Sequence, residues 1–423
     1  MAINKKIGKT ATEQFLAKLC ENTFLSLWAY PDPCKSDSKE ICDVIAIFEN
    51  HVFLFFDRKS QTLNDPKKDI DLQWQRWVER VIQKQIKTAM GATRYIERSP
   101  DKIFIDPKCS TPLPISIPSK PISIHRIIVA HGAKEFIEKL SSDNISGSLG
   151  IKYNDLYSNN QSNKPNVPGT VFLERTCPVH VFDSHNLEII LGELDTFYDF
   201  KEYLLAKEKA IKFYDRLEYC GEEDLLAHYW LSSTFQKEEY SIIIKDKPIN
   251  NLSISEGKWK DVTSSYPYKI RKKVYKESYF WDDLILMIGK LGFKDELLGN
   301  ANIFNVKNPI YEMAKEPRSS RVDLSENILR HYSVFSKYNK GFSPFLNLVP
   351  SFYHEKGYVF LHRRIPNQFV NDDEDYESER YDQLQVACGV VKNKFPYLQK
   401  IIGIAFDRSE YNKESSEIFI LLD

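Results

Sequence analysis

The chain has 423 residues, 42% of them hydrophobic and 28% charged, with a formal net charge of −1. That length exceeds one ordinary core and implies two or three folded units. The near-neutral balance creates no global field toward a polyanion, so nucleic-acid contacts must come from local patches. The candidates are KIRKKVYK at 269–276 and the lysines at 5–9 and 67–68, each of which, taken alone, reads as solvated surface charge. No apolar run approaches the roughly 18 residues of a membrane span, and MAINKKIGKT lacks the apolar core of a secretory signal, so the expected location is the cytoplasm. Seven cysteines with no CxxC pair and no Cys/His cluster argue against a disulfide framework and a zinc site. Cys42, within ICDVIAIF, reads as a small buried hydrophobe.

Residues 10–22 predict a helix with Phe15, Leu16, Leu19 and Cys20 on one face and Thr10 or Thr12 as cap. TFLSLWAY at 23–30 is aromatic and strand-like, ending at the Pro31/Pro33 loop. EICDVIAIF, then ENH, then VFLFFDRK predict a hairpin of two buried strands. DIDLQWQRWVERVIQKQIKTAM makes an amphipathic helix with Ile70, Trp74, Trp77, Val78, Val81 and Ala89 along one side. Strands follow at 102–106 and 122–132, a polar loop at 155–170, and two more strands, HVFD at 180–183 and LEIILGEL at 187–194. A helix from about 196 takes Asp195 or Thr196 as its cap, with Asp199 as a further acid of the helix start. A boundary is expected after it, giving units 1–215 and 216–423. Helices at 223–235, 279–292 and 322–335 dominate the next stretch. Strand 358–363, a helix at 378–393 and the strands KIIGIAFD and EIFILLD then form a small α/β unit. The acidic run at 371–379 lacks the glycine and spacing of a calcium loop and reads as a solvated loop before a helix.

Side chains alternate along a strand, so Asp57 and Lys59 are expected on one face of the second hairpin strand. If Glu49, Asn50 and His51 form a three-residue loop, paired positions sum to 100 and Asp43 lies opposite Asp57 on that face. A two-residue loop throws Asp43 to the other side. Charged groups within apolar strands are costly unless compensated. The plain compensation is an Asp–Lys ion pair. The chemical one is a site where carboxylate oxygens hold Mg²⁺ and the lysine faces a water.

The arrangement resembles the PD-(D/E)xK, restriction-endonuclease-like, nuclease superfamily over about residues 8–110. Its pattern is a helical acid, an Asp on one strand and (D/E)xK on the next, in an αβββαβ core. Asp43 matches the lone Asp, Asp57 the second acid and Lys59 the lysine of D-R-K. Glu13 is preferred as the helical acid over Glu21, with Glu40 a weaker candidate. The proline that often precedes the strand Asp is replaced by Cys42. The resemblance implies an α/β fold with that core, followed by a helical region and the small C-terminal α/β unit. It also implies Mg²⁺ (or Mn²⁺) on Glu13, Asp43 and Asp57, Lys59 at the attacking water, and hydrolysis of nucleic-acid phosphodiesters, DNA being favoured over RNA. Gln85, on the apolar stripe of the 70–90 helix, matches the Gln that many members carry there. By analogy such proteins belong to restriction or phage defence, as homo-oligomers or with a partner protein. The rivals are a binding module that keeps the fold without the chemistry and a structural subunit of a larger complex. His125, Arg126, His180 and Asp183, at strand-like positions, read as structurally paired. No Walker loop, GxGxxG, G-x-S-x-G or HExxH is present.

Overall fold

The computed structural model describes residues 8–60, 63, 69–117, 121–140, 148–154, 167–232, 240–244, 250–294, 303–338, 345–362, 373–406 and 418–422. The lysines at 5, 6, 67 and 68 and most of the 155–170 loop lie outside these residues. The chain divides into two compact units, Asn4–Lys269 and Ile270–Asp423, so the expected boundary at 215/216 falls inside the first.

In chain order the first unit contains α1 (Ala11–Trp28), β1 (Ala29–Pro31), β2 (Cys34–Lys35), β3 (Val44–Phe48), β4 (His51–Arg58) and α2 (Ile70–Trp77). A π-helical stretch (Val78–Gln83) leads on to α3 (Lys84–Arg98), β5 (Ile103–Phe104), β6 (Ser123–Ala130), α4 (Ala133–Leu140), β7 (Gly150–Asn154), β8 (Thr170–Leu173) and β9 (His180–Asp183). Then come α5 (Ser184–Glu193), α6 (Phe197–Phe213), β10 (Arg216–Tyr219), α7 (Glu222–Leu231), β11 (Asn251–Ile254) and α8 (Lys258–Ser264). The central sheet has the order β1-β3-β4-β6-β9. β1, β3 and β4 pair antiparallel, and β6 and β9 add in parallel. A helix, three antiparallel strands, a second helix and a parallel strand therefore follow one another around this sheet. A second sheet has the order β11-β10-β7-β8, and β2 pairs with β5 in a separate ribbon that holds the 102–106 strand.

Three local expectations are corrected. Residues 23–28 belong to α1, interrupted at Leu25 (φ 61°, ψ 156°), and only Ala29–Pro31 is a strand. Leu16, Cys20, Thr23 and Phe24 continue one buried helical stripe, and packing of Phe24 on Phe53 and Phe200 overrides the β-propensity of the run. LEIILGEL is helical: Asp183 accepts from the backbone N–H groups of His185 and Asn186, and Leu187, Ile190 and Leu191 are buried at helical spacing. Phe15 and Ile70, expected on buried faces, are exposed.

Each face of the central sheet has its own helices. Ile45, Ile47, Val52, Leu54 and Phe56 pack against Ala89, Ala92 and Ile96 of α3. The alternate residues Phe53 and Phe55 meet Phe24 of α1 and Phe200 of α6 in an aromatic layer with ring centroids 5.2–6.4 Å apart. The phase of α6 is fixed from behind by a fully buried ion pair. Lys207 Nζ donates to both oxygens of Glu222 at 2.7 Å, and the Tyr203 and Tyr219 hydroxyls donate to the same carboxylate. A buried charge pair is tolerable only with such complete satisfaction.

The second unit comprises α9 (Tyr266–Lys294), which begins in the first, α10 (Ile303–Ala314), α11 (Arg318–Tyr338), β12 (Phe345–Pro350), β13 (Lys356–His362), α12 (Asp373–Lys394), β14 (Lys400–Phe406) and β15 (Ile418–Leu422). Its sheet runs β12-β13-β14-β15, and Leu384, Cys388 and Val391 of α12 pack on Val359, Leu361, Ile401 and Ala405. Gly403 permits that approach, since a Cβ there would stand 2.6 Å from Cys388 Sγ. The basic run KIRKKVYK lies on α9, with Lys269, Lys273 and Lys276 exposed.

Candidate functional site

The β3–β4 connection is a two-residue turn. Phe48 pairs with His51 and Val44 with Phe55, so paired positions do not follow the three-residue loop expected from the sequence. Glu49 takes φ 52°, as the first central position of the tight primed hairpin turns requires. On a regular ladder this register separates Asp43 from Asp57.

The ladder is not regular there. Asp43 N donates to Phe55 O at 3.0 Å although Val44 is the residue paired with Phe55. Two residues thus face one, which is a β-bulge, and bulges re-aim side chains. Asp43 Oδ2 accepts from Asp57 N at 2.6 Å. Burial, reinforced by Glu40, Asp57 and Glu13 and only partly offset by the Asp57 N–H, pushes the Asp43 carboxyl up to about 8.

Asp57, at the end of β4, is buried and accepts on both oxygens. Thr12 Oγ1 of α1 donates to Oδ2 at 2.5 Å, and His131 Nε2, just past β6, lies 2.5 Å from Oδ1. The parallel β4/β6 register, which sets Asp57 beside Val129, brings His131 there, and Trp77 Nε1 donates to His131 O. Sequence reasoning missed His131 and Thr12 as partners of Asp57; the strand expected at 122–132 includes His131, but only the parallel pairing with β4 places it beside Asp57.

Glu13 stands at the start of α1 in a capping box: its Oε2 accepts from the backbone N of Lys9 (2.7 Å) and Thr10 (3.0 Å), while Thr10 Oγ1 accepts from Glu13 N. Thr10, not Thr12, is therefore the cap. Glu40 pairs with Lys9. Lys59 is exposed one residue beyond the end of β4, so strand alternation does not extend to it. Gln85 is half-buried in the first turn of α3.

A second polar cluster occupies the opposite end of β4. His51 Nδ1 lies 2.9 Å from His125 Nε2, His125 Nδ1 lies 2.9 Å from Glu208 Oε1, and His180 Nε2 lies 3.1 Å from that same oxygen. These residues come from the adjacent strands β4, β6 and β9 and from α6. Burial, despite the Glu208 hydrogen bond, holds His180 down at about 4. Burial with the nearby His125 and Lys201 charges holds His51 at about 4. Burial raises Glu208, but hydrogen bonds from His125 and His180 outweigh it and keep that carboxyl well below the usual range. Arg126, expected to be structurally paired, donates to Cys177 Sγ, and Asp183 caps α5.

Among the described residues, the metal-competent group with ligand atoms within 4.8 Å of one another is His125, His180 and Glu208 rather than the three predicted carboxylates. No helix of the described residues is long and apolar enough to cross a membrane. Comparison with protein-family models, with curated proteins and with solved structures gives no match.

Proposed function

We propose that the first unit is a Mg²⁺-dependent nuclease of the PD-(D/E)xK type, acting on nucleic-acid phosphodiesters with DNA favoured. The observation that carries this reading is the bulge at Asp43, which brings its carboxylate to Asp57 at the end of β4 in spite of a hairpin register that separates them. The helix, three-strand, helix, parallel-strand order of the sheet agrees with the core that the superfamily implies.

The donors suit a hard divalent cation. Asp43 feels Glu13, Glu40 and Asp57 together, and the nearby Lys9 is already paired with Glu40, so negative charge is in excess. Mg²⁺ commonly binds through one or two carboxylates and keeps several waters, so Asp43 and Asp57 suffice to hold it without Glu13 leaving its cap. Each carboxylate oxygen of Asp57 has a further lone pair beyond the one used by Thr12 or His131. Bound there, the ion would offset charge developing on phosphoryl oxygens.

Thr12 and His131 fix the Asp57 rotamer, and Asp57 N orients Asp43. The exposed Lys59 ammonium is free to approach a phosphate or an attacking water. A plasmid-cleavage assay with Mg²⁺ or Mn²⁺ tests this: Asp43→Ala and Asp57→Ala should each lose at least about a hundredfold, and Lys59→Ala a similar amount. Equal activity in all four proteins dismisses the site.

A further inference from the structure

We propose that His125, His180 and Glu208 form a second metal site, selective for a borderline transition cation of the Zn²⁺ class and separate from the carboxylates at the other end of β4. Donor type comes first. Two imidazoles and one carboxylate favour Zn²⁺ and its neighbours over Mg²⁺, which prefers oxygen alone.

Geometry comes second. Donors around tetrahedral zinc, with bonds of roughly 2.0–2.1 Å, stand about 3.3–3.4 Å apart. Here the nitrogens of His125 and His180 lie 2.9 and 3.1 Å from Glu208 Oε1, and all three ligand atoms lie within 4.8 Å. Both nitrogen–oxygen spacings are thus within a few tenths of an ångström of those around zinc, and the two nitrogens stand no more than 4.8 Å apart.

The side chains are also held in place. His125 and His180 sit on neighbouring parallel strands, one on each, and are almost fully buried. Glu208 follows Lys207, whose buried bond to Glu222 fixes the turn of α6. The Glu208 side chain is 22% exposed, which leaves a way in.

Hydrogen bonding alone leaves something unexplained. His180 Nδ1 is buried with no partner among the described residues, a cost of about 1–3 kcal/mol for an unsatisfied group. An ion on Nε2 would place the ring proton on Nδ1, which would then need a water or other acceptor of its own.

Starting from neutral rings with His51 Nδ1, His125 Nδ1 and His180 Nε2 as the donors, the protons balance without release. On binding, the His125 proton moves from Nδ1 to Nε2 and is donated to His51 Nδ1, whose own proton moves to its Nε2. In His180 the proton passes from Nε2 to Nδ1. His51 thereby becomes the outer partner that orients a ligating imidazole, a role whose loss typically costs 10–100-fold in metal affinity.

The test uses the full chain stripped with a chelator and titrated with Zn²⁺ by calorimetry and with Co²⁺ by visible absorption. Wild type and the Asp43→Asn/Asp57→Asn protein should each bind one Zn²⁺ at this site and show an intense tetrahedral Co²⁺ spectrum. Glu208→Gln and His180→Asn should weaken binding at least a hundredfold, and His51→Phe ten- to a hundredfold. Because a histidine variant can fail to fold, the wild-type Co²⁺ spectrum is decisive by itself: a weak octahedral spectrum, or no binding, overturns the proposal. Unchanged affinity in folded Glu208→Gln overturns it too, as does loss of the site in the Asp43→Asn/Asp57→Asn protein. Nuclease activity enters none of these readouts, so the two sites stand or fall separately.

Discussion

The two ends of β4 hold polar groups in opposite electrostatic conditions. At its start, His51, His125, His180 and Glu208 form a chain in which burial holds the His51 and His180 rings down while hydrogen bonds from His125 and His180 hold the Glu208 carboxyl down. At its end, Asp43 is buried among acids that repel it. His51 and Asp57 are six residues apart, roughly 20 Å along a strand, and the layer of Phe24, Phe53, Phe55 and Phe200 lies between. Sites so far apart, without shared partners, should behave additively. The aromatic layer is thus what allows one strand to carry two independent polar sites.

Breaking that layer should have the largest effect. Phe53 is fully buried and stacks on Phe24 at 5.2 Å and on His125 at 4.8 Å. Phe53→Ala should cost about 3–5 kcal/mol in chemical denaturation and loosen the histidine end as well. A loss under about 1 kcal/mol would mean the layer does not organise the sheet.

Acidity should separate the two ends by sign. The folded pKa of Asp43 is raised, to about 8 from 3.8, so its contribution to stability is fully present below the unfolded value and is lost as pH rises through 8. His51 and His180 are lowered to about 4 from 6.5, so their contribution is present above 6.5 and is lost as pH falls through 4. In metal-free protein, wild type should therefore lose stability relative to Asp43→Asn between pH 5 and 8, by an amount on the order of 2–3 kcal/mol. It should lose stability relative to His51→Phe between pH 6.5 and 4. Parallel pH profiles for wild type and Asp43→Asn would show that Asp43 is not under strain.

A smaller change probes the carboxylate end alone. Thr12→Val keeps the shape of the side chain and removes the donor to Asp57 Oδ2; the expected loss is about 1 kcal/mol, read from thermal melting. Because Asp57 would also lose one of its two tethers, cleavage should fall more than the folded fraction does. If activity tracks stability alone, Thr12 does not position Asp57.

Much of the first unit was legible because its apolar residues fall in runs or at helical spacing. VFLFFDRK is a continuous apolar run closed by charge, the 70–98 segment repeats at helical spacing, and the acids at 43 and 57 stand out beside apolar runs. Register was not legible, because turn length depends on Glu49 accepting a positive φ, which its residue type does not advertise. Nor was the bulge, which depends on an extra residue at 43 finding Phe55 O. The expected convergence rested on a three-residue loop that does not exist, and Asp43 reaches Asp57 by a different device. The histidine cluster was hidden for another reason. His125 and His180 were visible on strands, but their meeting depends on the parallel β6–β9 register, and Glu208 comes from a helix 28 residues beyond His180. Isolated histidines in strands carry no pattern until strand order is known.

Glu13 offers the finest separation between scaffold and chemistry. Its carboxylate serves the capping box with Thr10, yet it also stands near enough to Asp43 to raise that group. Gln fills the same place in a capping box, so Glu13→Gln should change stability by less than about 0.5 kcal/mol. The substitution removes a negative charge, so if Glu13 also helps hold Mg²⁺, Mn²⁺ affinity measured by calorimetry should fall several-fold at unchanged melting temperature. An unchanged affinity assigns Glu13 to the helix cap alone and leaves Asp43 and Asp57 as the pair that grips the ion. A large drop in melting temperature would instead show that the cap needs the charge of Glu13 to offset the exposed N–H groups of the first turn.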